Sequence, residues 1–330
     1  MMDINAVYND YLTRFNTYLG TIEYPAQPAR LYEPIAYTMS LGGKRLRPVL
    51  TLMIADMLGA GGAEVLPVAL GVEMFHNFTL LHDDVMDRAD VRRGKPTVHC
   101  KWNDNVAILS GDAMLTMASQ FICQAPSRCL SAAMDLFNRT AIEIYEGQQL
   151  DMDFETRNDV TVDEYLHMIR LKTSVLIGAA CRLGALVSGA CDADLDALYD
   201  MGLNLGLAFQ LKDDLLDVWG DPDKFGKQIG GDIMCDKKTY LLITAMNEAQ
   251  GVDRETLNRY IGMAEATVSR GEKVSAVTGV YDHLNLRERT LAAINRHSER
   301  AIEALRQSTL SADHVATLTA LIQMLINREN

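Results

Sequence analysis

The sequence predicts an all-α protein, a single large helical bundle with one domain over residues 1–330. Three observations carry that expectation. Apolar residues recur at helical spacing along the chain, as in Leu31, Ile35 and Met39, in Leu166, Ile169 and Val175, in Leu257, Ile261 and Ala264, and in Ala301, Ile302 and Leu305. The alternation of a half-buried strand is nearly absent. Only eight prolines occur and no Ser/Pro-rich linker marks a boundary, so the chain reads as one unit although it exceeds the usual domain length.

Breakers separate the helices in order: residues 59–62, Pro126, residues 189–194, residues 220–231 and Gly251. One apolar stretch starts near Leu66 and runs into Asp83, and a second starts near Met201 and runs into Asp213. The most apolar segment, residues 175–190, carries Arg182 and is shorter than the roughly 20 residues a membrane span needs. It is expected as a buried core helix, and no membrane span is expected.

Hydrophobic residues make up 48% of the chain and the mean hydropathy is -0.02, enough to build a large core and unlike a disordered chain. The net charge of -13 repels a polyanionic backbone and disfavours nucleic acid as a partner. Six cysteines (Cys100, Cys123, Cys129, Cys181, Cys191, Cys235) form no C-x-x-C pair and read as reduced, buried thiols. Asp3 and Asp10 stand where a signal peptide would be apolar, and the final Asn-Arg-Glu-Asn matches no lipidation signal, so a cytoplasmic location is expected.

The chemistry is concentrated in two acidic triplets. In Leu80-Leu81-His82-Asp83-Asp84-Val85-Met86-Asp87, a helix of 3.6 residues per turn stacks Asp83 and Asp87 on one face with Asp84 at its edge. Three carboxylates at one helix end repel one another unless a cation is present, and Mg²⁺ characteristically bridges carboxylates to phosphate oxygens. One such triplet is most simply a solvated helix end. The pattern recurs, however, as Phe209-Gln210-Leu211-Lys212-Asp213-Asp214-Leu215-Leu216-Asp217, and two acidic helix ends facing a cavity would hold two or more metals. Calcium loops are excluded, because their acids alternate around a central glycine.

Cations accompany the acids: Gly42-Gly43-Lys44-Arg45-Leu46-Arg47-Pro48, Arg92-Arg93-Gly94, Lys172-Thr173, Lys227 and Lys237. Each alone is ordinarily a solvated face or an ion-pair partner. Together with the carboxylates they point to two anionic groups, one held through metal and one directly by Lys and Arg.

These residues resemble the trans-isoprenyl diphosphate synthase family. The paired DDxxD motifs, GGKRLRP, Asp87-x-x-x-x-Arg92-Arg93-Gly94-x-Pro96-Thr97, Gly147-Gln148-Gln149-Leu150-Asp151, Lys172-Thr173 and Phe209-Gln210 stand in the family's order. The resemblance implies a helical bundle of the isoprenoid synthase type around a central cavity, a homodimer and three Mg²⁺ ions. It implies metal ligation by Asp83, Asp84, Asp87 and Asp213, with Asp214 and Asp217 nearby or acting through water. It assigns Arg92, Lys172, Thr173, Gln210, Lys227 and Lys237 to an allylic diphosphate (dimethylallyl, geranyl or farnesyl), and Gly43, Lys44, Arg47, His76 and Arg93 to isopentenyl diphosphate. The family usually reads Gly-Lys-x-Thr at the last lysine, whereas this chain has Asp236-Lys237-Lys238-Thr239. Lys237 has the family's spacing to Thr239, and Lys238 is the alternative.

The implied reaction draws off the allylic diphosphate and lets the isopentenyl double bond attack the carbocation that remains. Such a cation needs a dry, apolar pocket, for which Phe75, Phe78 and Leu81 are candidates. A terpene cyclase shares the first aspartate motif but usually carries Asn/Asp, Ser/Thr and Glu at the second. A noncatalytic regulatory subunit would have lost aspartates that are intact here. For product length the resemblance points below Asp83, to Phe78 and Thr79 as the floor, with Met74 and Phe75 as the next candidates. That combination resembles archaeal geranylgeranyl synthases, so a twenty-carbon product is expected, with the fifteen-carbon farnesyl product as the alternative.

Overall fold

The computed structural model describes residues 3–221, 229–263 and 267–327, and about three-quarters of them are helical. In chain order the helices are α1 (Ile4–Leu19), α2 (Ala29–Ser40), α3 (Leu46–Met57), α4 (Val65–Met86), α5 (Val98–Lys101), α6 (Asp104–Ile122), α7 (Leu130–Glu155), α8 (Val162–Ile169), α9 (Val175–Ser188) and α10 (Asp192–Trp219). They are followed by α11 (Gly231–Met234), α12 (Tyr240–Glu248), α13 (Gly251–Tyr260), α14 (Arg270–His283), α15 (Leu286–Arg306) and α16 (Ala312–Ile326). Short polar side chains start many of them. Asp3 accepts from the Asn5 and Ala6 amides, Asn103 from Val106, Thr239 from Leu242 and Ser269 from Glu272, while Thr161 and Glu164 form a reciprocal capping box.

The chain divides into two compact units, each assembled from separate stretches. The first comprises residues 1–140, 176–199 and 307–314. Its centre is α4, buried along almost its whole length from Val65 to Leu81 and packed against α6, α3 and α2. The second comprises residues 141–175, 200–306 and 315–330. It includes a core in which Val218, Ile233, Leu241, Leu242, Leu257, Val277, Val280 and Tyr281 meet.

The structure departs from the sequence reading at several places. An antiparallel hairpin, β1 (Val91–Arg92) and β2 (Lys95–Pro96), follows the first acidic triplet. Two-residue strands leave no alternation to read. Helix α10 begins at Asp192 rather than near Met201, because two acids in its first turn suit a helix N-terminus. Helix α13 stops at Tyr260, so Ile261 lies beyond it, and Ala264 falls outside the described residues. The apolar segment at 175–190 belongs to a longer helical run, Val162–Ser188, which is long and apolar enough to cross a membrane; 72% of its most apolar window is buried inside the protein, as in a core helix. Only Cys129 and Cys181 are buried. Cys100, Cys123, Cys191 and Cys235 are exposed because they stand at helix ends or in short connections, where apolar neighbours in sequence do not imply burial.

Candidate active site

Helix α4 delivers the first triplet at its C-terminal turn, with Asp83 half-buried, Asp84 buried and Asp87 exposed as the C-cap. Arg88 then adopts a left-handed backbone (φ 54°) and the chain turns into the hairpin. The hairpin returns Arg92 to the helix: its Nε donates to both Asp84 oxygens at 2.8 and 2.9 Å, and Nη2 lies 2.7 Å from Oδ1. Burial still raises the Asp84 carboxyl, against the pull of Arg92. Arg92 and Asp84 are thus paired with each other at the end of the helix. A small recess beside the pair is lined by Leu41, Leu80, Leu81 and Val98.

The glycine-rich loop before α3 lies in the same unit. Arg45 takes a left-handed backbone (φ 50°) that turns its side chain inward, where Nη1 donates to Glu73 at 2.6 Å and Nη2 to the Met39 carbonyl at 2.5 Å. Both members of the Arg45–Glu73 pair are 2% exposed. Asn77 donates to the same Glu73 oxygen at 2.9 Å and accepts from Arg93 at 3.5 Å, and Arg93 also donates to the Gly42 carbonyl. Gly43 has a φ of 120°, a backbone that favours glycine, and the Arg93 guanidinium comes within 2.8 Å of where a side chain there would begin. Tyr8 of α1 holds the loop from the other side by donating to the Lys44 carbonyl.

This crowding of cations has an electrostatic signature. Burial, opposed by Glu73 and reinforced by Arg93, pulls Arg47 down to about 10, and Arg47 Nε has no hydrogen-bond partner. His76 is held well below its ordinary value by burial and by Arg47, Arg93, Arg92 and Arg45, so it is neutral. Desolvated cations with an unmet donor fit an anion supplied from outside.

The second triplet, in the other unit, lies on α10. Asp213 is half-buried and Asp214 is buried, accepting from Tyr165 Oη and from Gln210 Nε2 at 3.1 Å. Burial first and Asp232 second push Asp214 up to about 7. The same causes push Asp217 up to about 6, although its two oxygens accept the Gly231 and Asp232 amides at 3.2 and 3.0 Å. Lys237 Nζ is 3.8 Å from Asp232 and its charge opposes both shifts.

Lys172 and Thr173 sit on a π-turn, Arg170–Ser174, between α8 and α9. Such turns are frequent at functional sites, because the extra residue re-aims side chains. Lys172 pairs with Asp151 at 2.6 Å, and Thr173 donates to Gln210 at 3.2 Å. A Cβ on Gly147 would meet the Lys172 amide nitrogen at 2.4 Å, so helix α7 approaches the turn through that glycine. Lys227 lies outside the described residues.

The candidate length-setting residues lie on α4. Phe78 is five residues before Asp83, about 140° round the helix, and Thr79 is the one directly beneath it. The Phe78 ring packs on Phe75 at 5.5 Å and on His82 at 4.8 Å, while Phe75 meets Phe137 at 5.3 Å. Met74 is fully buried, and Thr79 donates to the His76 carbonyl.

Sequence reasoning missed Glu73, Asn77, Tyr165 and Asp232, and counted Arg45 among the cations without its buried partner. Glu73 had a legible signal, a lone acid inside the apolar run of α4, whereas Tyr165 and Asp232 become meaningful only through their partners. Among the described residues no group of three or more His, Cys, Asp or Glu is gathered as a metal site by itself. Mg²⁺ characteristically takes one or two carboxylates and completes its shell with water and substrate phosphate, so the oxygen-only donors of the triplets fit that ion.

Comparison with known proteins gives one answer. The sequence pattern of the family described as Polyprenyl synthetase matches residues 28–278. Geranylgeranyl diphosphate synthase of Methanosarcina mazei is 43% identical over 74% of this chain and 75% of its own. Geranylfarnesyl diphosphate synthase of Natronomonas pharaonis is 40% identical over 70% of this chain and 72% of its own. A crystal structure of a geranylgeranyl pyrophosphate synthase, 41% identical, superposes with a TM-score of 0.91 and full coverage of both chains.

Proposed function

The chain belongs to the polyprenyl synthetase family, and from that premise we propose that it condenses an allylic diphosphate with isopentenyl diphosphate, yielding the twenty-carbon geranylgeranyl diphosphate. The observation that carries this reading is that both aspartate triplets are intact at successive turns of long helices, in a chain whose 43% identical relative is named for that product.

In this reading Asp83, Asp87 and Asp213 are the principal ligands of Mg²⁺, which when bound offsets the negative charge of the departing diphosphate. Asp84, Asp214 and Asp217 hold the framework: Asp84 orients Arg92, Asp214 ties Tyr165 to Gln210, and Asp217 receives the first amides of α11. Lys172, Thr173, Lys237 and, from the family pattern, Lys227 serve the allylic diphosphate. Gly43, Lys44, Arg47, Arg93 and neutral His76 receive isopentenyl diphosphate without metal. The protein's work is positioning and electrostatic stabilisation, and the released diphosphate takes the final proton. We further propose a homodimer, a reading supported by the exposed Ile108 and Leu109 on α6, 45% and 60% accessible, and a cytoplasmic location, a reading that rests on the sequence alone.

Chromatography of the products from dimethylallyl, geranyl and farnesyl diphosphate starters tests the assignment. A twenty-carbon end product from all three is expected. A fifteen-carbon end product contradicts it in favour of farnesyl diphosphate, a twenty-five-carbon one in favour of the geranylfarnesyl relative's product, and a hydrocarbon in favour of cyclisation. Phe78→Ala is expected to lengthen the product by at least one isoprene unit, and an unchanged product rules Phe78 out as the floor.

A further inference from the structure

Granting that Lys237 serves the allylic diphosphate, we propose that Lys273 of α14 is a positioning residue which, through Asp236, fixes the backbone from which Lys237 extends. Asp236 has a left-handed backbone (φ 52°), a conformation that a residue with a side chain keeps only when its surroundings hold it. Both carboxylate oxygens are held. Oδ2 accepts the Gly262 amide at 2.8 Å, and Oδ1 lies 2.7 Å from Lys273 Nζ, close enough for an ion pair although not aligned as a hydrogen bond. Lys273 is wholly buried, and Nζ also donates to the Met234 and Met263 carbonyls at 3.2 Å each. Three acceptors thus surround an ammonium with three N–H groups.

The rest of that helix face does the same work one turn along. Arg270 donates to the Ile229 carbonyl at 3.0 Å, and Val274 packs so closely on Gly230 that a Cβ there would meet it at 2.6 Å. Residues 270, 273 and 274 share one helix face, and Val277, Val280 and Tyr281 anchor the same helix in the core with Ile233. The segment so gripped begins at the amides that cap Asp217 and ends where the Lys237 amide donates to the Asp232 carbonyl at 2.9 Å. A buried ion pair is a poor device for stability alone, since apolar residues of similar volume often do as well. What this pair adds is one defined backbone path between Asp217 and Lys237.

The test is steady-state kinetics of Lys273→Met, Asp236→Asn and the double variant D236G/K273M, with each substrate varied in turn and folding followed by thermal melting. Each single variant is expected to raise KM for the allylic diphosphate about tenfold, with KM for isopentenyl diphosphate within about twofold of the unaltered enzyme. Glycine adopts the left-handed backbone without an anchor, so the double variant is expected to return to within about threefold of the original allylic KM. Asp236→Asn keeps the test alive if Lys273→Met does not fold. Equal rises for both substrates, no rise, or no recovery in the double variant overturns the proposal. If the unaltered protein transfers no prenyl group, it is the functional reading that has failed. Amide exchange over residues 229–239 then decides the positioning role: faster exchange in Lys273→Met, reversed in the double variant, supports it, and unchanged exchange overturns it.

Discussion

At the scale of single residues, the buried carboxylates have divided roles. Asp214 and Asp217 bind protons more tightly folded than unfolded, because burial and Asp232 raise them to about 7 and about 6. Between the ordinary carboxylate range near 4 and those raised values the folded state therefore holds more protons, and stability falls as pH rises through that window. Without metal, the melting temperature should decline from about pH 5 to about pH 8, and Asp214→Asn should remove much of the slope; a slope unaffected by the substitution contradicts the assignment. Glu73 tests the other unit. Deleting its carboxylate leaves Arg45 charged and buried, so Glu73→Ala should cost about 3–5 kcal/mol in denaturant unfolding. Glu73→Gln, which keeps a hydrogen-bond acceptor, should cost less. A loss under about 1 kcal/mol for the alanine variant would show that Arg45 finds water instead.

At the scale of elements, helix identity was legible and helix junctions were not. The apolar spacing of Leu31, Ile35 and Met39 marks α2, and the acids of the two triplets mark the late turns of α4 and α10. The π-turn at Arg170–Ser174 left no trace in that spacing, since one extra residue in a turn shifts the period less than the scatter of side chains obscures it. Nor did the hairpin carrying Arg92, whose placement is set by Asp84 rather than by strand propensity. The Gly-Gln-Gln-Leu-Asp run was recognisable as a motif, yet its use emerges only in space: Gly147 admits the turn and Asp151 pairs with Lys172. Gly147→Ala should push the Lys172 backbone away by several tenths of an ångström and lower turnover about 10–100-fold, while KM for isopentenyl diphosphate changes little. Unchanged turnover would show that the π-turn does not set the aim of Lys172.

At the scale of the whole molecule, composition limited the choices and motif order made the selection. A net charge of -13 argued against nucleic acid but said nothing of the local crowding of Arg47 and Arg93 around His76, where we propose that a small anion is held. The family pattern over residues 28–278 draws on both compact units, and each unit carries one acidic triplet on a long helix. The cysteines show where averages mislead: their apolar sequence neighbours implied burial, but helix ends brought four of the six to the surface. The central claim, metal-assisted prenyl transfer between two diphosphates, is tested most directly by incubating the purified protein with isopentenyl and farnesyl diphosphates and following the prenyl product. The account predicts transfer with Mg²⁺, its loss in excess EDTA and its return when Mg²⁺ is restored, with Asp83→Ala folded but slower by orders of magnitude. Full transfer in excess EDTA, or no transfer with Mg²⁺ present, would contradict it.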